Sequence, residues 1–320
     1  MDAETAHKRV LSMASKWPRT TAGLWWGGPP PKSAASTFLG EEVPSPVGLA
    51  AGMDKEGEAL LLWERLGFGH IEVGTVTPRP QPGNPTPRIW RVPADRTVVN
   101  AMGFPSSGAE AVAKRLTRER ELGRWPSIPV GFNLGKNKET PLDEADKDYE
   151  IACTTLRHLA DYFTVNVSSP NTPDLRKLQN AEAIRPVLAT VIAAADGLPV
   201  LLKLSPDLDP EVMRQTVEVA ISEGAAGIIA TNTTTNRPTE ASQEFDRGGL
   251  SGAPLYPISR DVIANLVEMV NKRIEVVGVG GICGPDEAKE YLALGCGAVQ
   301  VLSGMVFEGP GLVNKINRAL

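Results

Sequence analysis

Eight short runs of β-branched and aliphatic residues recur between residues 47 and 302, and stretches with helical periodicity separate them. The runs are 47–51, 71–76, 128–132, 162–167, 200–204, 227–230, 276–279 and 298–302. Between them, stretches such as 56–66, 109–118, 143–159, 181–194, 210–222, 258–272 and 285–294 carry apolar residues at helical spacing. Strands alternating with helices in this way predict an α/β fold, a (β/α)8 TIM barrel of parallel strands ringed by helices. A doubly wound sheet is the runner-up, but it usually carries a GxGxxG turn at its first crossover. Here the first strand runs instead into Gly52-Met53-Asp54-Lys55.

A chain of 320 residues is long enough to bury the core of such a barrel. Its net charge of −5, with no cluster of Lys and Arg, argues against a nucleic-acid surface. Cys153, Cys283 and Cys296 are odd in number and lack metal-ligand spacing, so free thiols in a reducing setting are expected, and no metal. His7, His70 and His158 do not fall at the C-terminal end of any predicted strand, which disfavours a histidine base or a His-rich metal site. No apolar run approaches the roughly 20 residues that span a bilayer, and the start of the chain lacks a signal-peptide core.

Residues 1–31 read as an N-terminal helical extension and residues 32–320 as the barrel domain. In the extension Ala3, His7, Val10, Ala14 and Trp17 recur at helical steps, Leu11 and Met13 widen the face, and Lys8, Arg9, Lys16 and Arg19 lie among them. Together with Trp25 and Trp26 this is the composition of a basic amphipathic helix at a lipid interface. The same face is equally suited to capping the barrel. The run Gly27-Gly28-Pro29-Pro30-Pro31 then breaks the chain.

Barrel chemistry sits on the loops that follow the strands. The first such loop holds Ala50, Ala51, Gly52 and Lys55, small residues beside a cation. The second starts at Thr75 and runs long, through Arg88 to Asn100-Ala101-Met102-Gly103-Phe104, with room for an extra hairpin. Asn133 ends the third strand. The fourth opens into Asn166-Val167-Ser168-Ser169-Pro170-Asn171-Thr172, two carboxamides and two serine hydroxyls on a turn restricted by proline. Lys203 lies in the fifth strand, and Thr231-Asn232-Thr233 follows the sixth. The seventh and eighth end in Gly280-Gly281 and in Leu302-Ser303, with Ser251-Gly252 in the loop before them, the usual barrel place for a phosphate.

This mouth has no paired carboxylates and no histidine, which disfavours hydrolysis by acid/base carboxylates or by a metal. Several asparagines suit a neutral heterocycle, since each carboxamide both donates and accepts. A phosphate site with a buried lysine suits a flavin nucleotide, whose reduced ring is anionic.

The segments Gly48-Leu49-Ala50-Ala51-Gly52-Met53-Asp54-Lys55, Glu72-Val73-Gly74-Thr75-Val76-Thr77-Pro78-Arg79-Pro80, Asn166 through Thr172, Thr231-Asn232-Thr233-Thr234, Gly248-Gly249-Leu250-Ser251-Gly252 and Gly278-Val279-Gly280-Gly281 resemble those of dihydroorotate dehydrogenases. The likeness covers nearly the whole chain. Ser169, where the class 1 enzymes carry a cysteine base, and the N-terminal extension make it most similar to the class 2, membrane-associated, quinone-dependent branch. What the resemblance implies is oxidation of (S)-dihydroorotate to orotate, with FMN as hydride acceptor and a quinone as final acceptor, in pyrimidine biosynthesis. It implies that Ser169 removes the C5 proton while the C6 hydride passes to the flavin, and a serine needs a water or threonine relay for this. Asn100, Asn166, Asn171, Asn232 and Thr233 are then expected to hold the pyrimidine, and Lys55 with the backbone near Met102, Gly103 and Phe104 its carboxylate. FMN is expected at Ala50, Ala51, Gly52, Thr75, Asn133, Asn166, Lys203, Thr231, Ser251, Gly252, Gly281, Leu302 and Ser303. Two departures stand out: Pro105 replaces an asparagine common in relatives, and Leu302 a tyrosine.

The same resemblance implies a peripheral place on the cytoplasmic face of the cell membrane, with Leu11, Val10, Met13 and Trp17 as walls of a quinone entrance. A monomer is expected. The alternatives are another FMN-dependent pyrimidine oxidoreductase, against which the absent basic face and Fe–S cysteines count, and a non-catalytic barrel that binds a phosphorylated metabolite.

Overall fold

In a computed structural model, which describes residues 3–16 and 28–320, the alternation of strands and helices closes on itself. Helix α1 (Ala3–Lys16) comes first, then an antiparallel hairpin of β1 (Ser36–Phe38) and β2 (Glu41–Val43). There follow β3 (Val47–Leu49), α2 (Leu60–Arg65), β4 (His70–Val76), β5 (Ile89–Val92), β6 (Thr97–Asn100), α3 (Ala109–Glu121), β7 (Val130–Leu134), α4 (Ala145–Leu156) and β8 (Tyr162–Asn166). The chain continues with α5 (Ala181–Ala195), β9 (Val200–Leu204), α6 (Pro210–Glu223), β10 (Gly227–Ala230), β11 (Gly249–Gly252), α7 (Tyr256–Val270), β12 (Glu275–Val279), α8 (Pro285–Leu294), β13 (Ala298–Val301), α9 (Ser303–Glu308) and α10 (Leu312–Ala319). Strands β3, β4, β7, β8, β9, β10, β12 and β13 form a closed parallel barrel in chain order, as the alternation predicts.

Every barrel strand alternates its side chains. Ile71, Val73, Phe132, Phe163, Val165, Leu202, Ile228, Val276 and Val299 face outward into one core shared with the helices, whereas Tyr162, Leu201, Ile229, Val277 and Ala298 fill the interior. This period of two is what a pleated strand imposes.

The β1–β2 hairpin closes the N-terminal end of the barrel. Its Phe38 stacks on His70 with ring centroids 4.0 Å apart and meets Tyr162 edge-on at 5.2 Å. Glycines on neighbouring strands make the room: a Cβ on Gly48 would lie 1.9 Å from the His70 ring, and one on Gly131 2.1 Å from that of Tyr162.

Element ends depart from expectation where local chemistry overrides periodicity. The stretch predicted as helix 56–66 becomes helical only at Leu60, because the Asp54 carboxylate accepts from the amides of Glu58 and Ala59 and from the Trp63 indole at 2.7–2.9 Å. The strand expected at 128–132 starts after Pro129, which has no amide to give a ladder. Stretch 258–272 starts as helix at Tyr256 and stops at Val270, since Asn271 and Lys272 turn left-handed. The hairpin expected in the long second loop is β5–β6, and β11, which the sequence offered only as loop, adds to it as a third antiparallel strand.

Helix α1 packs on α2 and β5 through Leu11 and Ala14, both buried. Val10, expected on that same face, turns outward with Met13 at 36% and 39% exposure. At 100° per residue 13 falls well outside the face that 3, 7, 11 and 14 share, and 10 lies at its edge. The expected aromatic cluster of Trp17, Trp25 and Trp26 lies outside the described residues.

His70 is fully buried with neither ring nitrogen bonded, and burial depresses its pKa to about 3. A folded pKa below the unfolded one gives stability that is complete above about pH 6.5 and is lost as pH falls toward the folded value. Stability to urea should therefore fall by on the order of 1 kcal/mol per pH unit below 6.5, and His70→Phe should flatten that slope. Equal slopes in the two proteins would remove His70 as the cause.

Candidate functional site

The alternation that packs the core also builds the floor of the mouth. Glu72 on β4 points into the barrel and is fully buried. Its carboxylate accepts from Asn133 Nδ2 at 2.8 Å, Gln300 Nε2 at 3.0 Å and Thr164 Oγ1 at 3.1 Å, and lies 3.6 Å from the Lys203 ammonium. Four other strands thus converge on one carboxylate, the condition under which a buried charge is tolerated.

Above this floor lies an asparagine network. Asn133 Oδ1 accepts from Thr75 Oγ1 at 2.6 Å and from Asn166 Nδ2 at 2.9 Å. Asn166 Oδ1 accepts from Ser168 Oγ at 3.0 Å, and Asn232 Nδ2 donates to Ser168 Oγ at 2.9 Å. Ser168 is buried and is not among the cavity-lining residues. Arg176 staples the loops from outside, donating to the carbonyls of Ser168 and Thr233 and pairing with Asp207 at 2.8 Å. Asn171 Nδ2 donates to the backbone and side-chain oxygens of Asn100, both at 3.0 Å, and its own amide donates to Ser169 Oγ at 3.2 Å.

One cavity at the C-terminal end of the barrel collects these groups. Lys55, Asn100, Met102, Gly103, Phe104, Asn166, Ser169, Asn171, Asn232 and Thr233 line it. So do Ala50, Ala51, Gly52, Thr75, Lys203, Thr231, Ser251, Gly281, Leu302 and Ser303. Two candidates from the sequence do not. Asn133 lies beneath the wall with both ends of its carboxamide already bonded. Gly252 is pressed onto the β6 side, where a Cβ would come 2.0 Å from the Arg96 carbonyl oxygen.

Sequence reasoning missed Glu72, Gln300, Arg91, Arg176 and His7. The inward place of Glu72 and Gln300 had a signal, a polar residue in register inside an otherwise apolar strand. His7 corrects the expectation of a mouth without histidine: it lines the cavity from α1 with Ala3, as do Met53, Ile89 and Arg91 from the barrel domain. Of the walls expected from α1, Leu11 is buried in the core and Val10 and Met13 are exposed, so none of the three lines the cavity.

Burial lowers Lys55 to about 8, and its ammonium donates to the Gly52 carbonyl at 2.8 Å. Burial and the Lys55 charge together push His7 below its usual value. Glu4 and Arg88 pin α1 in place through two bonds of 2.7 and 3.0 Å, and the Arg88 guanidinium holds Glu4 down at about 2. At the other end Ser303 Oγ donates to Ser251 Oγ at 2.7 Å beside the Gly281 turn. Among the described residues no group of acidic, histidine and cysteine side chains is placed to hold a metal.

A family model described as dihydroorotate dehydrogenase matches residues 33–320. The chain is 48% identical over 293 residues to a dihydroorotate dehydrogenase (quinone) of Acidithiobacillus ferrooxidans, covering 88% of this chain and 80% of that one. It is 44% identical to the corresponding protein of Gloeobacter violaceus over 100% of this chain and 90% of the other. Among solved structures, that of the Eimeria tenella protein in complex with ferulenol superposes with a TM-score of 0.90 at 32% identity, covering 99% and 90% of the two chains.

Replacing Glu72 by Leu strands the Lys203 ammonium and the Asn133 amide in the barrel interior. The expected loss is about 3–5 kcal/mol of unfolding free energy in urea, with Glu72→Gln, which keeps an acceptor for Asn133, losing less. A loss below about 1 kcal/mol for Glu72→Leu would show that the floor does not depend on this carboxylate.

Proposed function

The chain belongs to the dihydroorotate dehydrogenase family, and from that premise we propose how its cavity divides the work between an FMN, a dihydroorotate and a quinone. It is a flavin-dependent oxidoreductase that oxidises dihydroorotate to orotate in pyrimidine biosynthesis, with a quinone as final acceptor. A flavin, when bound, supplies a hydride acceptor that can hand electrons on to a quinone. One observation carries the division: Ser169, four asparagines and two lysines line the same cavity that extends to Ala3 and His7 of α1.

The residues present fit such a cofactor. Thr233 Oγ1 and Gln300 Oε1 are buried, line the cavity and have no partner among the described residues, so a polar ligand would satisfy them. Lys203, Thr75, Thr231, Ala50, Ala51, Gly52 and Leu302 would hold the ring end of FMN, with Asn133 acting through Thr75 and Asn166. Ser251, Gly252, Gly281 and Ser303 would hold the phosphate. Asn100, Asn166, Asn171, Asn232 and Thr233 would grip the substrate ring, and Lys55, beside Met102, Gly103 and Phe104, its carboxylate. Ser169 would take the C5 proton. The amide of Asn171 already occupies one lone pair of its oxygen and so fixes where the hydroxyl sits. Thr172 Oγ1, buried and unpartnered among the described residues, would be the hydroxyl for a relay.

We assign residues 1–31 to a membrane and quinone-access extension and 32–320 to the catalytic barrel, acting as a monomer at the cytoplasmic face of the membrane. No helix among the described residues is long and apolar enough to cross a bilayer. The outward face of α1 offers Lys8, Arg9, Val10, Met13 and Lys16, all exposed, which suits peripheral contact with lipid headgroups.

Purified protein should be yellow, and anaerobic dihydroorotate should bleach it; protein that takes up no FMN would end the proposal. Ser169→Ala should keep its flavin and lower the rate of anaerobic bleaching on the order of 10²–10⁴-fold at neutral pH. An unchanged rate would remove Ser169 from proton transfer. Deleting residues 1–31 should abolish turnover with quinone while sparing turnover with a soluble dye. Equal retention of both activities would refute the access role of α1.

A further inference from the structure

The turn Gly280-Gly281-Ile282 after β12 lines the cavity, and among the described residues none of its three amides has a hydrogen-bond acceptor. Behind it, outside the cavity lining, Tyr291 of α8 is fully buried. Its hydroxyl donates to the Gly280 carbonyl at 2.7 Å. Ser259 of α7 backs the same turn, where a Cβ on Gly280 would come 2.3 Å from its Oγ, and that Oγ is 2.6 Å from Thr231 Oγ1 on the cavity wall. Tyr256 stacks on Tyr291 with centroids 5.5 Å apart and closes over the turn, where a Cβ on Gly281 would come 2.4 Å from the Tyr256 backbone.

We propose that Tyr291 is a positioning residue for the phosphate of the cofactor. The assignment rests on the FMN proposal above and extends it to a residue that does not touch the ligand. The Gly280–Gly281 peptide is trans, so its carbonyl and the following N–H point in opposite directions. Holding that carbonyl on Tyr291, away from the cavity, therefore turns the Gly281 N–H into it. An unbonded backbone amide facing a cavity is an anion donor with nothing to reorganise on binding. The φ values of +120° and +73° at Gly280 and Gly281 are open to glycine, and Tyr256 fills the space a side chain would need. Ser259 packs on the same turn and bonds Thr231, so the phosphate turn and the end of β10 share one buried hydroxyl.

The test is the affinity of flavin-stripped full-length protein for FMN and for riboflavin, which lacks the phosphate. Tyr291→Phe should weaken FMN roughly tenfold and leave riboflavin unchanged. Ser259→Ala should lower the FMN-to-riboflavin ratio in the same direction and serves if Tyr291→Phe does not fold. Equal weakening of both ligands, or of neither, in the folded variants overturns the assignment. Wild-type protein that does not prefer FMN to riboflavin overturns the phosphate site itself, a failure visible before any variant is made.

Discussion

A carboxylate sealed inside a closed barrel must be matched from every side, and Glu72 is matched by Asn133, Thr164, Lys203 and Gln300, one from each of four other strands. No two of those partners are adjacent in sequence, so the match holds only when β4, β7, β8, β9 and β13 keep one register. A slip of one residue would turn Glu72 into the helix layer and a valine into the floor. The floor of the mouth and the register of the barrel are thus set by the same contact. Its value lies in specificity as much as in stability, since a well-packed apolar set could replace a buried pair without loss.

The floor then dictates what can be built on it. Because Asn133 spends its amide on Glu72, its oxygen faces Thr75 and Asn166, and Asn166 in turn shows its oxygen to Ser168 and Asn232. The orientation of each carboxamide is inherited from the one below. On the rim, Arg88 connects α1 to the same system: it binds Glu4 and the carbonyls of Pro82 and Asn84, and Asn84 Nδ2 donates to the Asn171 carbonyl at 3.0 Å. The helix that covers the cavity is therefore registered to the loop that carries Ser169 by two residues.

Much of this was legible in the sequence, and the exceptions share a cause. Strand and helix alternation set the barrel, and position at strand ends gathered Lys55, Ser169 and the asparagines, because both signals are local. Glu72 and Gln300 escaped although each is a polar residue inside a largely apolar strand, because they sit below the strand ends where site residues are expected. His7 escaped because it lies on α1 and not at a strand end, and which surface α1 lays its face on is not written in α1 itself. The Glu4–Arg88 pair spans 84 residues and β11 pairs with β6 across a loop, and neither has a local signature. Asp54, next to Lys55 in the chain, has its carboxylate consumed by two amides and an indole.

That last detail bears on how the mouth treats an anion. With Asp54 committed to the start of α2, Lys55 has no carboxylate within ion-pair distance among the described residues, and its ammonium rests on a carbonyl alone. Burial lowers it to about 8, opposed by the more distant charges of Glu4 and Asp54. A cation held this way is charged near neutral pH and still under-neutralised, so an incoming carboxylate displaces no salt bridge and relieves the burial penalty. The attraction is present below about pH 8 and fades as pH rises through that value. At the floor the lysine is instead paired: Lys203 lies beside Glu72, so its charge is balanced before any ligand arrives. Two lysines in one cavity thereby differ in their carboxylate neighbours: Lys55 has none within ion-pair distance among the described residues, and Lys203 has Glu72.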